Sequence, residues 1–402
     1  MAVDGAGQTW VSGYTHGALG GTNAGGYDLF LTPLSATGVL GTSVQRGGSA
    51  DDGGYAAAVV GGSTVFGVGF TQSTTAWDGA AVIGGQDAVA MSYSTAGTYQ
   101  STTRFGSTSS DAANGAAGNA TNLLIAGNAS ATIDGQTPGG GNDAFLSKRT
   151  STGALVWTRV VGTSAVDIGW GAAFDSAGNA YLAGYTTGSL PTFANAGGVD
   201  LFVARYDASG TQTLLKQWGT SGDDAAYGVQ VDVSGNIYLT GTTTGALGGQ
   251  TNNGGQDAFL TKLDSNGNVL WTRLLGGTGT DVSNGLALDA AGKVWIGGYS
   301  FSTFAGHTNA GSTDAFVAQY DSDGNLLNTA FWGTTGEDVI TGLAAAPDGS
   351  VSVSGYTLGT LGAASAGSDD AFAASLTTAP EPTTPLLLAL SGAGLLLRRR
   401  RG

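Results

Sequence analysis

No cysteine occurs among the 402 residues. That excludes disulfides, thiolate metal sites, iron–sulfur clusters and cysteine nucleophiles. Histidine is confined to His16 and His307, so a multi-histidine metal centre cannot be assembled. Glutamate stands only at positions 337 and 381, and paired-carboxylate chemistry would have to draw on aspartate. There are only seven prolines and no G-x-y period, which excludes collagen. Charge is sparse at 11% and mostly of one sign, with 14 basic against 29 acidic residues. Four of the basic residues are the run 398–401, and positions 1–379 hold 10 basic and 28 acidic residues. A body this acidic repels phosphate backbones, so nucleic acid is not an expected partner.

What the chain has in abundance is glycine, 72 residues, together with a 41% hydrophobic fraction and eight tryptophans. Glycine at this density costs about 1 kcal/mol per helix-interior position relative to alanine, which disfavours a helical bundle. Combined with β-branched and aromatic residues it points to short strands and tight turns.

Internal repeats organise the chain. A G-x-D-A-F-like element recurs with its aspartate at Asp28, Asp87, Asp143, Asp200, Asp257, Asp314 and Asp370, separated by 59, 56, 57, 57, 57 and 56 residues. A second marker, the glycine opening G-Y-T-like text, falls at Gly13, Gly69, Gly127, Gly184, Gly241, Gly298 and Gly355. Within the unit 232–289, the segments GNIYLTGTT, QDAFLTKLD, VLWTRLLGG and SNGLALD alternate apolar and polar residues between Gly/Asn/Asp clusters. They predict four short antiparallel strands. Four strands in about 57 residues make a propeller blade, a little longer than common blade repeats. The fold class expected is all-β, a seven-bladed β-propeller.

One blade is expected to be incomplete. Seven full units would need 399 residues, whereas 1–379 supply 379, and the strand pair after the D-A-F strand appears six times rather than seven. Met1 is therefore expected to lie inside a repeat, with upstream sequence missing. Six blades plus an extra hairpin is the alternative. The units also alternate: Trp157 and Trp271 stand 14 residues after their aspartates, Trp218 and Trp332 stand 18 after theirs. This suggests duplication of a two-blade unit, with the tryptophans packed between blades.

The segments GQDAFLTKLD at 255–264, WGTSGDD at 218–224 and VDVSGNIYLTG at 231–241 resemble the SBBP-type β-propeller repeat of bacterial and archaeal surface proteins. The resemblance covers nearly all of 1–376 and implies an extracellular structural or adhesive role without shared catalytic residues.

At 377–402 the composition shifts to a linker and the text PEPTTPLLLALSGAGLLLRRRRG. The apolar run from Pro385 to Leu397 is 13 residues, short of the roughly 20 that span a bilayer as a helix. Terminal arginines would hold that end on the cytoplasmic side. The order Pro380-Glu381-Pro382, apolar helix, then Arg398, Arg399, Arg400 and Arg401 resembles a PEP-CTERM sorting signal. That resemblance implies an exosortase partner, transient inner-membrane anchoring, cleavage near the P-E-P motif, and a final place at the surface of a Gram-negative bacterium or outside it. The N-terminal text MAVDGAGQTW shows no signal-peptide pattern, in line with missing upstream sequence.

Few residues suggest chemistry. Asp264, Asn266 and Asn268, and likewise Asp321, Asp323 and Asn325, alternate oxygen ligands around a glycine as calcium loops do. Calcium is the one cofactor considered, and Asx turns account for the same letters. The seven G-x-D aspartates are expected to bond backbone at strand starts. Gly-rich loops such as GGTNAGG at 20–26 lack a phosphate-loop pattern, and Tyr27 beside them is a candidate for stacking on a sugar. His16 and His307 stand without a nucleophile pattern. The function expected is that of a non-enzymatic, exported propeller binding exopolysaccharide or other surface components. A polysaccharide hydrolase or lyase and a calcium-dependent adhesin are the alternatives.

Overall fold

A computed structural model describes residues 1–361 and 369–376 and the main chain of 395–397. It contains seven four-stranded antiparallel sheets. Within each sheet the strands follow one another in chain order, so each repeat forms one blade. Blade 5 is representative. Asp224–Val231 is the inner strand, Ile237–Thr243 the second, Asp257–Leu263 the third and Val269–Leu275 the outer. Three of these are segments that the alternation marked; the fourth marked segment, SNGLALD, falls in Asp281–Leu288, the inner strand of blade 6, so the unit read from sequence runs across the junction between two blades. Inner strands of successive blades pack against one another, so the sheets are arranged around an axis.

Two blades are completed in an unexpected way. In blade 1 the inner strand is only Ala2–Val3, followed by Thr9–Thr15, Asp28–Leu34 and a three-residue outer strand, Val44–Arg46. In blade 7, Asp338–Ala345, Val351–Thr357 and Asp370–Leu376 are joined by Leu395–Leu397. These three residues pair with Ala373, Phe372 and Ala371. The ring therefore has seven blades, not six with an added hairpin. The apolar helix expected near the C-terminus is corrected at these three positions, which are β-strand. The open edge of Ala371–Ala373 offers main-chain donors and acceptors that an extended segment satisfies. Blade 7 thus draws on sequence beyond the boundary placed at 376. Pro380, Glu381, Pro382 and Arg398 to Arg401 lie outside the described residues.

The core is divided among the junctions between blades. Because strand side chains alternate, neighbouring residues of one second strand serve opposite junctions. In blade 3, Leu123 and Ile125 pack with Phe66 and Val68 of blade 2, while Leu124 and Ala126 pack with Leu182 and Phe202 of blade 4. Tyr181 and Leu182 divide in the same way between the junctions on either side of blade 4. Trp157 sits in the junction between blades 3 and 4, and Trp218, Trp271 and Trp332 border the next three junctions. The two-blade alternation has a structural counterpart. Arg159 of blade 3 donates through Nε to Gly210 O at 2.7 Å, and Arg273 of blade 5 to Gly324 O at 2.8 Å. In each case an outer-strand arginine clasps a turn of the following blade.

The repeated glycine of the second strand is required by close approach. Every inner strand from blade 2 to blade 7 carries a bulge that brings a carbonyl over this glycine. A Cβ on Gly298 would overlap Val282 O, and one on Gly184 would overlap Ile168 O.

Each junction also buries aspartates. The third-strand aspartates accept backbone N–H groups from the loop before them: Asp28 from Ala24 at 3.0 Å, Asp200 from Ala196 at 2.9 Å, Asp257 from Asn253 at 2.9 Å and Asp314 from Ala310 at 2.8 Å. Asp143 accepts from Gly140 at 3.2 Å. Asp87 adds the Arg104 guanidinium, an ion pair closed to solvent. Asp370 opens the third strand of blade 7 and is fully buried. Facing them are the first residues of the next inner strands, Asp52, Asp111, Asp167, Asp224, Asp281 and Asp338, all at 0% exposure. These fold back on their own loops, as when Asp52 accepts Gly48 N at 2.6 Å and Asp338 accepts Thr334 N at 2.6 Å. In blades 1 and 2, Asp28 and Asp52 flank Gly47; in blades 4 and 5, Asp200 and Asp224 flank Gly219.

Two outcomes are expected from this packing. Burial pushes the carboxyls of Asp28, Asp52, Asp111, Asp143, Asp257 and Asp281 above the ordinary value of 3.8. A raised native pKa means the folded state binds the proton more tightly, so stability is greatest once these groups are protonated and falls as pH rises through the raised values. Calorimetry at high salt, which screens surface charge, should show the melting temperature rising as pH falls from 7 towards 4. It should turn down below about 3.8, where Asp264, Asp321 and Asp348, whose carboxyls their turns hold below 3.8, lose their turn bonds. A melting temperature that only falls from pH 7 to 4 contradicts this. Second, Gly184→Ala or Gly298→Ala should destabilise by about 1–3 kcal/mol, as overpacking does, seen as an earlier midpoint in urea; an unchanged midpoint contradicts the close approach.

Candidate functional site

The inner strands enclose a central channel. At one end it is lined by residues from all seven blades, among them Val3, Ala58, Ala117, Ala173, Gln230 and Ala344, around a cavity of about 330 Å³. These are the last residues of the inner strands, almost all small and apolar. Where the inner strands begin the wall has a different character. A larger cavity, about 460 Å³, lies between blades 7, 1 and 2 and is lined by Tyr14, Tyr55, Tyr356, Thr341, Glu337 and Asp369 among others.

Two sequence positions supply the aromatic wall. One is the third residue after the inner-strand aspartate, which occupies the bulge: Tyr55, Trp170 and Tyr227, with Asn114, Asn284 and Thr341 in the other blades. The other is the residue after the second-strand glycine: Tyr14, Tyr185, Tyr299 and Tyr356, with Phe70 in blade 2. Trp170 meets Tyr227 edge to face across a junction, ring centroids 5.6 Å apart. Tyr55 and Phe70 lie 5.3 Å apart. Tyr14 and Tyr55 remain 45% and 47% exposed, so their rings are accessible from the cavity.

The phenols influence one another around the axis. Burial pushes Tyr227 up to about 12, and Tyr185 and Tyr299 add to the rise. Tyr356 is raised by burial, then by Glu337, Tyr299 and Tyr14. Tyr55 is raised by burial and then by Tyr14. All are therefore hydroxyl donors at neutral pH. The indole N–H of Trp170 is enclosed and has no hydrogen-bond partner among the described residues. Flat apolar faces edged with O–H donors suit a ligand that is apolar on its faces and hydroxylated at its rim.

The residues singled out from sequence lie elsewhere. In the turn at Asp264, Oδ1 accepts the N–H groups of Asn266 at 2.9 Å and Asn268 at 2.8 Å, and Oδ2 accepts Asn268 Nδ2 at 2.8 Å. Asp321 binds Asp323 N and Asn325 identically. The carbonyls of both turns are engaged by the preceding blade: Lys216 Nζ reaches Gly267 O at 2.6 Å, and Lys262 Nζ reaches Ser322 O at 2.9 Å. A protein cation thus already occupies each turn's carbonyl side. Among the described residues no group of three or more His, Asp or Glu side chains is placed to hold a metal ion. Tyr27 is stacked beneath His16, centroids 3.6 Å apart, and His307 packs on Phe331 at 4.0 Å. Aspartates from neighbouring blades do approach one another, but in the closed junctions; the two carboxylates lining the larger cavity, Glu337 and Asp369, both belong to blade 7.

Sequence reasoning passed over the aromatic wall. Its signal was present as an aromatic three residues after D in the inner strand and one after G in the second. Only the bulge register shows that these two positions meet on one surface.

Among the described residues no helix is long and apolar enough to cross a membrane. Comparison with known proteins gives the chain several likenesses. It is 26% identical over 156 residues to the regulatory protein FlaEY of Caulobacter vibrioides, a match that takes in 35% of this chain and 16% of the relative's length. Among solved structures, the WD40 domain of Neurospora crassa Pan2 is 12% identical with a TM-score of 0.45, covering 76% of this chain and 74% of that one. BamB of Moraxella catarrhalis is 12% identical with a TM-score of 0.37, covering 82% and 79%. Residues 156–191, from the outer strand of blade 3 into blade 4, match the family model described as the β-propeller repeat SBBP.

Proposed function

We propose that this chain is a non-enzymatic propeller scaffold that works outside the cell and holds extracellular polysaccharide against the aromatic wall of its channel. The observation that carries this reading is the convergence of Tyr14, Tyr55, Trp170, Tyr185, Tyr227, Tyr299 and Tyr356 from six blades onto one surface, with protonated phenols at its rim. Pyranose rings present C–H groups on their faces and hydroxyls at their edges, the complement of that wall. Strong net negative charge favours neutral or cationic glycans over acidic ones. In the same reading, residues 380–402 are the sorting segment. An exosortase recognises Pro380-Glu381-Pro382, the apolar stretch and arginines 398–401 hold the chain in the inner membrane in transit, and cleavage releases the propeller to the surface without Leu395–Leu397, leaving blade 7 with three strands. The support for this part is the order of the three elements at the end of the sequence.

On a glycan array, the full chain should bind a restricted set of neutral polysaccharides without added calcium. Tyr14→Ala and Tyr55→Ala, whose rings are about half exposed to the cavity, should each weaken that binding about 2- to 10-fold, the worth of one stacked ring, with little change in melting. Full affinity in both variants, or no glycan retained, overturns the reading. For the sorting segment, Glu381→Ala in a host with an exosortase should leave uncleaved chain in the inner-membrane fraction. Normal release of the variant contradicts it.

A further inference from the structure

The aromatic wall gives way to amides in one blade. In blade 3 the bulge residue is Asn114, the residue after the second-strand glycine is Asn128, and the residue before the third-strand aspartate is Asn142. In no other blade do all three positions carry carboxamides. On either side of this strip, Tyr55 of blade 2 and Trp170 of blade 4 hold the same bulge position. The strip therefore stands between two rings.

The three side chains form a relay with one direction. Asn114 Nδ2 donates to Gly169 O of blade 4 at 3.0 Å and to Asn128 Oδ1 at 3.1 Å. A main-chain carbonyl can only accept, so Gly169 fixes which end of the Asn114 amide faces it. Asn128 then accepts through Oδ1, and its Nδ2 donates to Asn142 Oδ1 at 3.4 Å. Ser130 Oγ donates to the same oxygen at 2.5 Å. Two polar atoms remain at the ends. Among the described residues nothing donates to Asn114 Oδ1 and nothing accepts from Asn142 Nδ2, and neither atom is closed to solvent. In blade 6 the bulge residue makes the same first bond, Asn284 Nδ2 to Ile340 O at 2.9 Å. There Tyr299 and Thr313 stand at the other two positions, and the relay goes no further.

We propose that this strip is a subsite for the acetamido groups of a neutral, N-acetylated polysaccharide, with Asn114 Oδ1 accepting an amide N–H and Asn142 Nδ2 donating to an amide carbonyl. The inference rests on the reading that the wall holds polysaccharide, and names the class it selects. A sugar hydroxyl both donates and accepts, so it satisfies either end of the relay equally. An amide N–H only donates and an amide carbonyl only accepts, so the relay imposes an order on acetamido groups that it cannot impose on hydroxyls. The acetamido methyl is apolar and suits the ring faces flanking the strip. The group is also uncharged, and meets no repulsion from a chain of net charge −15. Asn128 separates the two ends, so a polymer with repeated acetamido groups engages both and a single sugar only one.

The test pairs two ligands that differ in one substituent: the hexamer of β-1,4-linked N-acetylglucosamine, and cellohexaose, the same backbone with a hydroxyl in place of each acetamido group. Titrated against the full chain in a calorimeter, the acetylated hexamer should bind about 3- to 10-fold more tightly, the worth of a hydrogen bond that the other ligand does not make as well. Asn114→Thr and Asn142→Val introduce the residues that blades 7 and 4 carry at those positions, Thr341 and Val199. Each should bring the two affinities together while the affinity for cellohexaose and the melting temperature hold. A purely structural role would move melting and leave the preference. Equal affinities in the unaltered chain, or a preference that survives both variants, overturns the proposal and leaves the polysaccharide reading standing. Binding of neither hexamer overturns the proposal as well, and the polysaccharide reading falls with it only if the glycan array also retains nothing.

Discussion

A four-stranded sheet with apolar residues on both faces has nowhere to place either of them unless another sheet lies against it, and that condition shapes this molecule. Each blade's second and third strands send alternate side chains into two different junctions, so that Leu123 and Leu124, adjacent in sequence, belong to two separate cores. No blade owns a core. The ring is the arrangement in which every face meets its counterpart, and the inner strands are what hold the spacing. Their bulge carbonyls rest on bare Cα atoms of the second strand, which is why glycine recurs at a position where strands otherwise disfavour it.

The same approach of inner strand to second strand gathers carboxylates in the junctions. Asp28 with Asp52, or Asp257 with Asp281, would repel one another if both were ionised in a dry environment. Backbone N–H donors from their own loops offset part of that cost, and proton uptake relieves the rest. These aspartates hold loops in place. The chemistry facing solvent falls instead to phenols and one indole on the channel wall, where the bulge turns a residue out of the sheet.

Much of this was legible from spacing alone. Two markers at a shared interval defined seven units, and the alternation in VLWTRLLGG and QDAFLTKLD matched Val269–Leu275 and Asp257–Leu263. What could not be read were features that depend on register or on partners distant in sequence. Leu395–Leu397 stands in an apolar run with no period-2 pattern, so only the open edge beside Ala371–Ala373 makes it a strand. Tyr227 and Tyr299 look like ordinary strand aromatics until the bulge brings their positions onto one surface. Tyr27 looked available for stacking, yet the ring over it is His16. Asp264 and Asp321 had the letters of an ion loop, and in three dimensions the cation at each turn is a lysine or arginine of the neighbouring blade.

Those clasps are not spread evenly. Arg159, Lys216 and Arg273 bind blades 3 to 4, 4 to 5 and 5 to 6, and Arg46 bonds Asp78 between blades 1 and 2. Between blades 7 and 1 the described contacts include an apolar cluster and a hydroxyl pair, Thr9 with Ser352 at 2.7 Å. Where a cation crosses a junction instead, a turn of one blade cannot lift away without breaking a bond to its neighbour, so the two tend to open together.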